Sequence, residues 1–140
     1  MLDTYVLDCS VAAKWVLPES GRDAARDYYD RYVSGNILLI APDILVTEFA
    51  SLVAKRNRRG HISAAQAQQA FAMMTRIAPR LFHTPPLLFH ALELSLKHQL
   101  SLWDCIYLAL GLERDCPVLT ADHRLFRGGS SRHPALMLVQ

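Results

Sequence analysis

The chain has 140 residues, of which 51% are hydrophobic, and a formal net charge of +2. That is enough apolar material for one domain with its own core, without disulfides or a structural metal, and too little charge excess to imply a polyanionic partner by itself. No apolar stretch reaches the ~18–20 residues of a membrane span, and Met1-Leu2-Asp3-Thr4 lacks the basic start and apolar run of a signal peptide. Three cysteines with no Cys-x-x-Cys pair predict free thiols in a reducing compartment, so the expected location is cytoplasmic.

Charge is unevenly spread. Residues 1–30 carry Asp3, Asp8, Glu19, Asp23, Asp27 and Asp30 against Lys14, Arg22 and Arg26, whereas Lys55-Arg56-Asn57-Arg58-Arg59 and Arg114, Arg124, Arg127 and Arg132 come later. A solvated helix end accounts for the first basic cluster as well as a phosphate-contacting patch does.

In chain order, Thr4-Tyr5-Val6-Leu7 reads as a buried strand that stops on Asp8, and Ser10 is expected to cap a helix over residues 11–17 that Pro18 ends. A polar helix opens at Ser20-Gly21 and runs to about Val33, and residues 37–40 form a buried strand. Pro42 suits the first turn of a helix over residues 43–59, with Gly60 just past its end. Ser63 and Gln66 have the spacing of a capping box for a helix over residues 64–77. A brief strand at Leu81-Phe82-His83 closes at Pro85-Pro86. Helices over residues 87–97 and 102–113 follow, the second nearly all apolar. A strand over residues 116–120, a helical turn over 122–126, a loop over 127–131 and a last strand over 135–139 complete the chain. Short buried strands alternating with helices predict a single α/β domain, a parallel sheet covered on both faces.

Four acids stand out by position. Asp8 and Asp122 each follow the carboxyl end of a predicted strand, the edge where ligands collect in open α/β sheets. Glu48 lies three residues after Leu45 and four before Leu52, on a stripe read as Ile44, Leu45, Leu52 and the Lys55 stem, where an unpaired charge is costly. Asp104 opens the most apolar helix. Each also has a local structural reading: Asp8 as a polar strand terminator, Glu48 on the edge of its stripe, Asp104 in a Ser101-x-x-acid cap, and Asp122 in the first turn of a helix capped by Thr120. In a parallel sheet, however, all four positions face one crevice. Clustered carboxylates repel one another unless they take up protons or hard divalent cations such as Mg²⁺ or Mn²⁺. The chemistry implied is metal-assisted phosphodiester hydrolysis, with Ser10 and Thr120 orienting carboxylates or waters from behind.

In Val6-Leu7-Asp8-Cys9-Ser10, Ala41-Pro42 followed by Glu48, Trp103-Asp104-Cys105-Ile106-Tyr107-Leu108-Ala109, and Thr120-Ala121-Asp122, the chain resembles the PIN-domain nucleases, most closely the VapC-like toxins of bacterial toxin–antitoxin pairs. The resemblance covers essentially the whole chain, residues 1–140. It implies a three-layer α/β/α sandwich with a five-stranded parallel sheet, and an acidic quartet of Asp8, Glu48, Asp104 and Asp122 binding Mg²⁺ or Mn²⁺. It further implies a homodimer, an RNA substrate and a small cognate antitoxin that covers the site. Cys9 and Cys105 stand where small residues such as Ala are usual in the family, and are read as small apolar substitutes with no redox role.

Lys14, Arg56 and Arg124, each beside an acid-bearing segment, are candidate phosphate contacts. Trp15 and Trp103 are read as packing residues. The six histidines show no paired metal spacing; His123, next to Asp122, is the one candidate for a substrate contact. Phe71, Met73 and Met74 offer either a dimer or antitoxin surface or core packing. The expected function is hydrolysis of RNA by a metal-activated water at the four carboxylates. Two alternatives stand beside it: a non-catalytic PIN-like binding protein, and a Mg²⁺-dependent phosphoacceptor module. The second is disfavoured because Asp8 is followed by Cys9 rather than another acid, and no Lys follows a late strand.

Overall fold

Strand β1 (Asp3–Leu7) sits at the centre of a five-stranded sheet in which every pairing is parallel. A computed structural model describes residues 1–129 and 136–140. From β1 the chain runs through α1 (Cys9–Val16) and α2 (Arg22–Val33) to β2 (Ile37–Pro42), then through α3 (Ile44–Arg58) and α4 (Ala64–Ile77) to β3 (Arg80–Phe82). A 3₁₀ turn (Pro85–Leu87), α5 (Leu88–His98) and α6 (Leu102–Arg114) lead to β4 (Val118–Thr120), and α7 (His123–Gly129) precedes β5 (Leu136–Leu138). The strand order is β3-β2-β1-β4-β5. The chain therefore winds outward in one direction from β1, then returns to add β4 and β5 on its other side. This reversal leaves a crevice beyond the carboxyl ends of β1 and β4, the usual ligand position in such sheets.

Side-chain alternation along the strands divides the core into two layers. Leu7, Leu39 and Leu119 pack with Val11, Trp15, Leu45, Phe49, Val53 and Met74 from α1, α3 and α4. Val6, Ile40 and Val118 pack on the other face with Ala91, Leu125 and the continuous run Cys105 to Leu110 of α6. Every residue of that run is buried, so the middle of α6 is covered all round while its two ends reach the surface. Among the described residues, no helix is long and apolar enough to cross a membrane.

The three-layer α/β/α architecture agrees with expectation, as does the Ser63–Gln66 capping box with both of its hydrogen bonds in place. Several local readings need correction. Pro42 ends β2 instead of opening a helix, and is paired with Phe82. The β1–β2 ladder has already stopped at Val6–Ile40, so a missing N–H at residue 42 costs no bond on that side. Asp43 precedes α3, and its Oδ1 accepts from the Thr84 N–H at 3.1 Å and from Thr84 Oγ1 at 2.5 Å. The buried stripe of α3 is Leu45, Phe49 and Val53, not Leu45 and Leu52 with Ile44 and the Lys55 stem. Ser10 lies within α1, whose N-cap position belongs to Asp8. Residues 127–129, expected in a loop, continue α7, whereas the remainder of that loop and the expected start of the last strand at Ala135 lie outside the described residues, as do Arg132 and His133. Met74 is fully buried while Met73 is exposed, so the α4 trio does not form one surface.

Candidate active site

The crevice at the β1/β4 edge opens into a cleft of about 690 Å³ lined by Asp8, Glu48, Asp104 and Asp122 together with Ser10, Trp103 and Lys55, among others. Four separate segments bring the acids there. Asp8 leaves β1, Asp122 follows β4, Glu48 projects from the second turn of α3, and Asp104 sits in the first turn of α6.

Asp8 is the most enclosed of the four, 7% exposed. Its Oδ2 accepts from Ser10 Oγ at 2.6 Å and from Thr120 Oγ1 at 2.9 Å, whereas Oδ1 accepts no hydrogen bond among the described residues. Both hydroxyls are themselves fixed by backbone donors just past β4: Ser10 Oγ accepts from the Ala121 N–H at 2.8 Å, and Thr120 Oγ1 from the Asp122 N–H at 3.0 Å. Ser10 thus does take a backbone hydrogen bond, but from the neighbouring β4 connection and not from its own helix. One carboxylate oxygen is held by two hydroxyl donors, and its partner is buried with unused acceptor capacity.

Glu48 is half-buried beside Leu52, and its Oε1 accepts from Tyr107 Oη at 2.5 Å. Asp122 is the N-cap of α7, its Oδ1 accepting from the Arg124 N–H at 2.9 Å and the Leu125 N–H at 3.2 Å, the role expected of Thr120. Ser101 caps α6, accepting from the Asp104 N–H at 3.1 Å. Among the described residues, no three His, Cys, Asp or Glu side chains stand close enough together to hold a metal ion unaided.

Burial dominates the electrostatics. It pushes Asp8 up to about 6, against the lowering effect of Ser10 and Thr120, with Asp104 and Asp122 adding repulsion. Burial likewise raises Glu48 to about 7; the Tyr107 hydrogen bond opposes this, and Asp8 and Asp104 reinforce it. Asp104 is raised, first by burial; the Ser101 hydroxyl and the Arg124 charge pull it down while Asp122 pushes it up. The cleft is therefore deficient in positive charge. The thiols beside it are inert for the same reason: burial raises Cys9 well above its ordinary value and Cys105 to about 11, so neither is a thiolate at neutral pH.

The candidate cations divide. Lys14 Nζ donates to the Ser20 carbonyl and lies 3.8 Å from Glu19, and Arg56 is paired with the same Glu19. Both are engaged by Glu19, and neither lines the acidic cleft. Arg124 is exposed on α7 and close enough for its charge to act on Asp104. His123 is exposed and does not line the cleft. Lining residues that sequence reasoning did not assign to the site are Lys55, Thr47 and Ser51 of α3, and Trp103 of α6; Tyr107 stands behind them. Tyr107 follows Asp104 by three residues, and Ser51 follows Glu48 by three, a helical spacing that could have flagged both. Trp103, expected to pack, is 58% exposed, whereas Trp15 is in the core with Nε1 donating to the Ala25 carbonyl at 2.9 Å.

Residues 5–129 match the PIN domain family. Ribonuclease VapC1 of Mycobacterium tuberculosis is 33% identical over 86 residues, which are 61% of this chain and 63% of that protein, so the aligned stretch spans less than two thirds of the relative. Among solved structures, PAE2754 from Pyrobaculum aerophilum superimposes with a TM-score of 0.70 at 17% identity, covering 90% of this chain and 79% of its own. A toxin–antitoxin complex from Klebsiella pneumoniae gives 0.66 at 14%, covering 97% and 98%. At these identities the two structures speak to the fold, and both support the five-stranded parallel arrangement.

Proposed function

The chain belongs to the PIN domain family, and on that footing we propose that it is a metal-dependent endoribonuclease, the toxin of a toxin–antitoxin pair. The observation that carries the reading is the convergence of Asp8, Glu48, Asp104 and Asp122 on one cleft at the sheet's switch point, with a buried Asp8 oxygen left without a donor. A donor set made only of carboxylate and hydroxyl oxygens fits a hard divalent cation, Mg²⁺ or Mn²⁺. Mg²⁺ takes one or two carboxylates directly and completes its shell with water and substrate phosphate, so the remaining acids would act on it through its bound water. Asp8 and its neighbours Asp104, Asp122 and Glu48 would hold it. When bound, such a cation lowers the pKa of water and neutralises the charge that builds on a phosphoryl group in flight.

The protein's own groups do the rest. Ser10 and Thr120 lock Asp8 in one orientation, so that its free oxygen is available without reorganisation. Tyr107 occupies Oε1 of Glu48, leaving Oε2 as the acceptor for a proton from the attacking water. Arg124 and Lys55 are the cations placed to meet substrate phosphates. Water attack on phosphorus breaks the bond to the 3′ oxygen, so the products carry a 5′-phosphate and a 3′-hydroxyl. RNA as substrate, a covering antitoxin, a homodimer and a cytoplasmic setting are part of the same reading. The name of the mycobacterial relative supports the RNA substrate and the likeness to a toxin–antitoxin complex supports the antitoxin; the homodimer and the setting rest on the family resemblance alone.

The test is incubation of the purified protein with pooled cellular RNA in Mg²⁺, in Mn²⁺ and in EDTA, with the fragment ends analysed. Cation-dependent fragments bearing 5′-phosphates are expected. Cleavage unaffected by EDTA, or 2′,3′-cyclic ends, would refute the mechanism. Absence of any cleavage, together with no divalent binding by calorimetry, would favour a non-catalytic PIN-like binding protein.

A further inference from the structure

The two tryptophans of the chain occupy opposite environments. Trp15 is 4% exposed, hydrogen-bonded through Nε1, and in ring contact with Tyr29 and Tyr32. Trp103 is 58% exposed, and its indole has neither a hydrogen bond nor a ring or cation partner among the described residues. Leaving a large apolar plane in water is unfavourable, and here it stands immediately before Asp104 on the wall of the acidic cleft. Ile44 and Leu52 extend the apolar lining, and Lys55, with no ion pair among the described residues, lines the same cleft.

An aromatic plane and a free cation flanking a carboxylate cluster are the two elements that hold a single strand: stacking for the base, charge for the backbone. Resting on the ribonuclease reading above, we propose that Trp103 is the base-stacking platform of this site, holding an unpaired nucleobase next to the phosphate to be cut, with Lys55 on the adjoining backbone. The consequence is selection for single-stranded over duplex RNA. A base inside a helix already has both faces stacked and offers none to the indole. A protein segment could also cover an exposed tryptophan, but the acids and Lys55 alongside it favour a cation-bridged polyanion over a peptide.

Fluorescence reads this directly, because the only other tryptophan is buried. Titrating the wild-type protein in Ca²⁺, a hard cation that can bridge the acids to phosphate, with a short single-stranded RNA should quench the exposed indole emission in step with binding followed by anisotropy; a duplex of the same sequence should not. Trp103→Leu should weaken single-strand binding about tenfold or more, in line with the loss of one stacked base, and Trp103→Phe should recover most of it. Under cleavage conditions the Leu variant should raise KM by a similar factor with kcat within about threefold. Unchanged emission on binding, an unaltered KM in Trp103→Leu, equal quenching by duplex, or no binding of the strand at all would each overturn the proposal. So would quenching by a protein partner that RNA does not reproduce. The two readings fail separately: cation-dependent cleavage with an unmoved indole leaves the nuclease and removes the platform, whereas quenching without cleavage leaves the platform and removes the nuclease.

Discussion

Replacing Asp8 with Asn should make the cation-free protein more stable while disabling it. Asp8 is 7% exposed and its carboxyl is raised from 3.8 to about 6 by burial first and by Asp104 and Asp122 after that. A raised acid favours folding when protonated, so its stability is fully present below about pH 4 and is lost as the pH climbs through 6. At ~1.4 kcal/mol per pH unit, the charged form costs the native state about 3 kcal/mol at pH 7.5. Asn is neutral, and its carbonyl can still accept from Ser10 and Thr120. Because an amide must also be buried, the expected net gain is about 1–3 kcal/mol, or roughly 3–9 °C in melting temperature for a chain of this length. The assay is urea denaturation in EDTA at several pH values between 4 and 7.5, for both proteins. The variant's advantage should be greatest at pH 7.5 and shrink toward pH 4. A variant less stable than wild type at pH 7.5, or a difference that does not change with pH, would refute the reasoning.

Other outcomes follow from the same geometry. A cation can bind only where protons have left, so Mn²⁺ affinity measured calorimetrically should rise between pH 6 and 8, with protons released on binding, because Glu48 titrates at about 7 and Asp8 at about 6; affinity independent of pH would contradict this. Tyr107→Phe removes the hydrogen bond that holds Glu48 down, so the acidic limb of the pH–rate profile should move to higher pH, with about 1–3 kcal/mol lost from stability in denaturation. Arg56→Gln should lower stability by about 1 kcal/mol through the loss of its Glu19 pair while leaving KM for RNA within twofold, whereas Lys55→Gln should raise KM and flatten its salt dependence.

The sheet and its edge were legible in the sequence because strand ends and helix starts leave strong local marks. Asp8 after an apolar run, Asp122 after another, and the Ser63–Gln66 pair all announce themselves within a few residues. What joins them across the fold was not. That Ser10 accepts from the Ala121 N–H, and that Tyr107 reaches Glu48, depends on contacts between residues 111 and 59 positions apart. The partner of two of the candidate cations was hidden for a related reason. Lys14 and Arg56 stand beside acid-bearing segments in sequence, but Glu19, folded back between α1 and α3, engages both. Trp103 looked like a core residue because its neighbours from Cys105 to Leu110 are core residues; its place at the very start of α6 exposes it instead. Phe49 and Val53, not Leu52, turned out to be the buried stripe of α3, a choice between adjacent helix faces that the apolar pattern alone leaves open.

The most direct test of the carboxylate site is RNA cleavage by wild type and Asp8→Asn side by side in Mg²⁺ or Mn²⁺, with circular dichroism verifying that both are folded. Cleavage by the wild type and its loss, by at least a hundredfold, in an equally folded variant is the expected result. Undiminished cleavage by Asp8→Asn would place the chemistry elsewhere and reduce the four acids to caps and edge groups of the sheet.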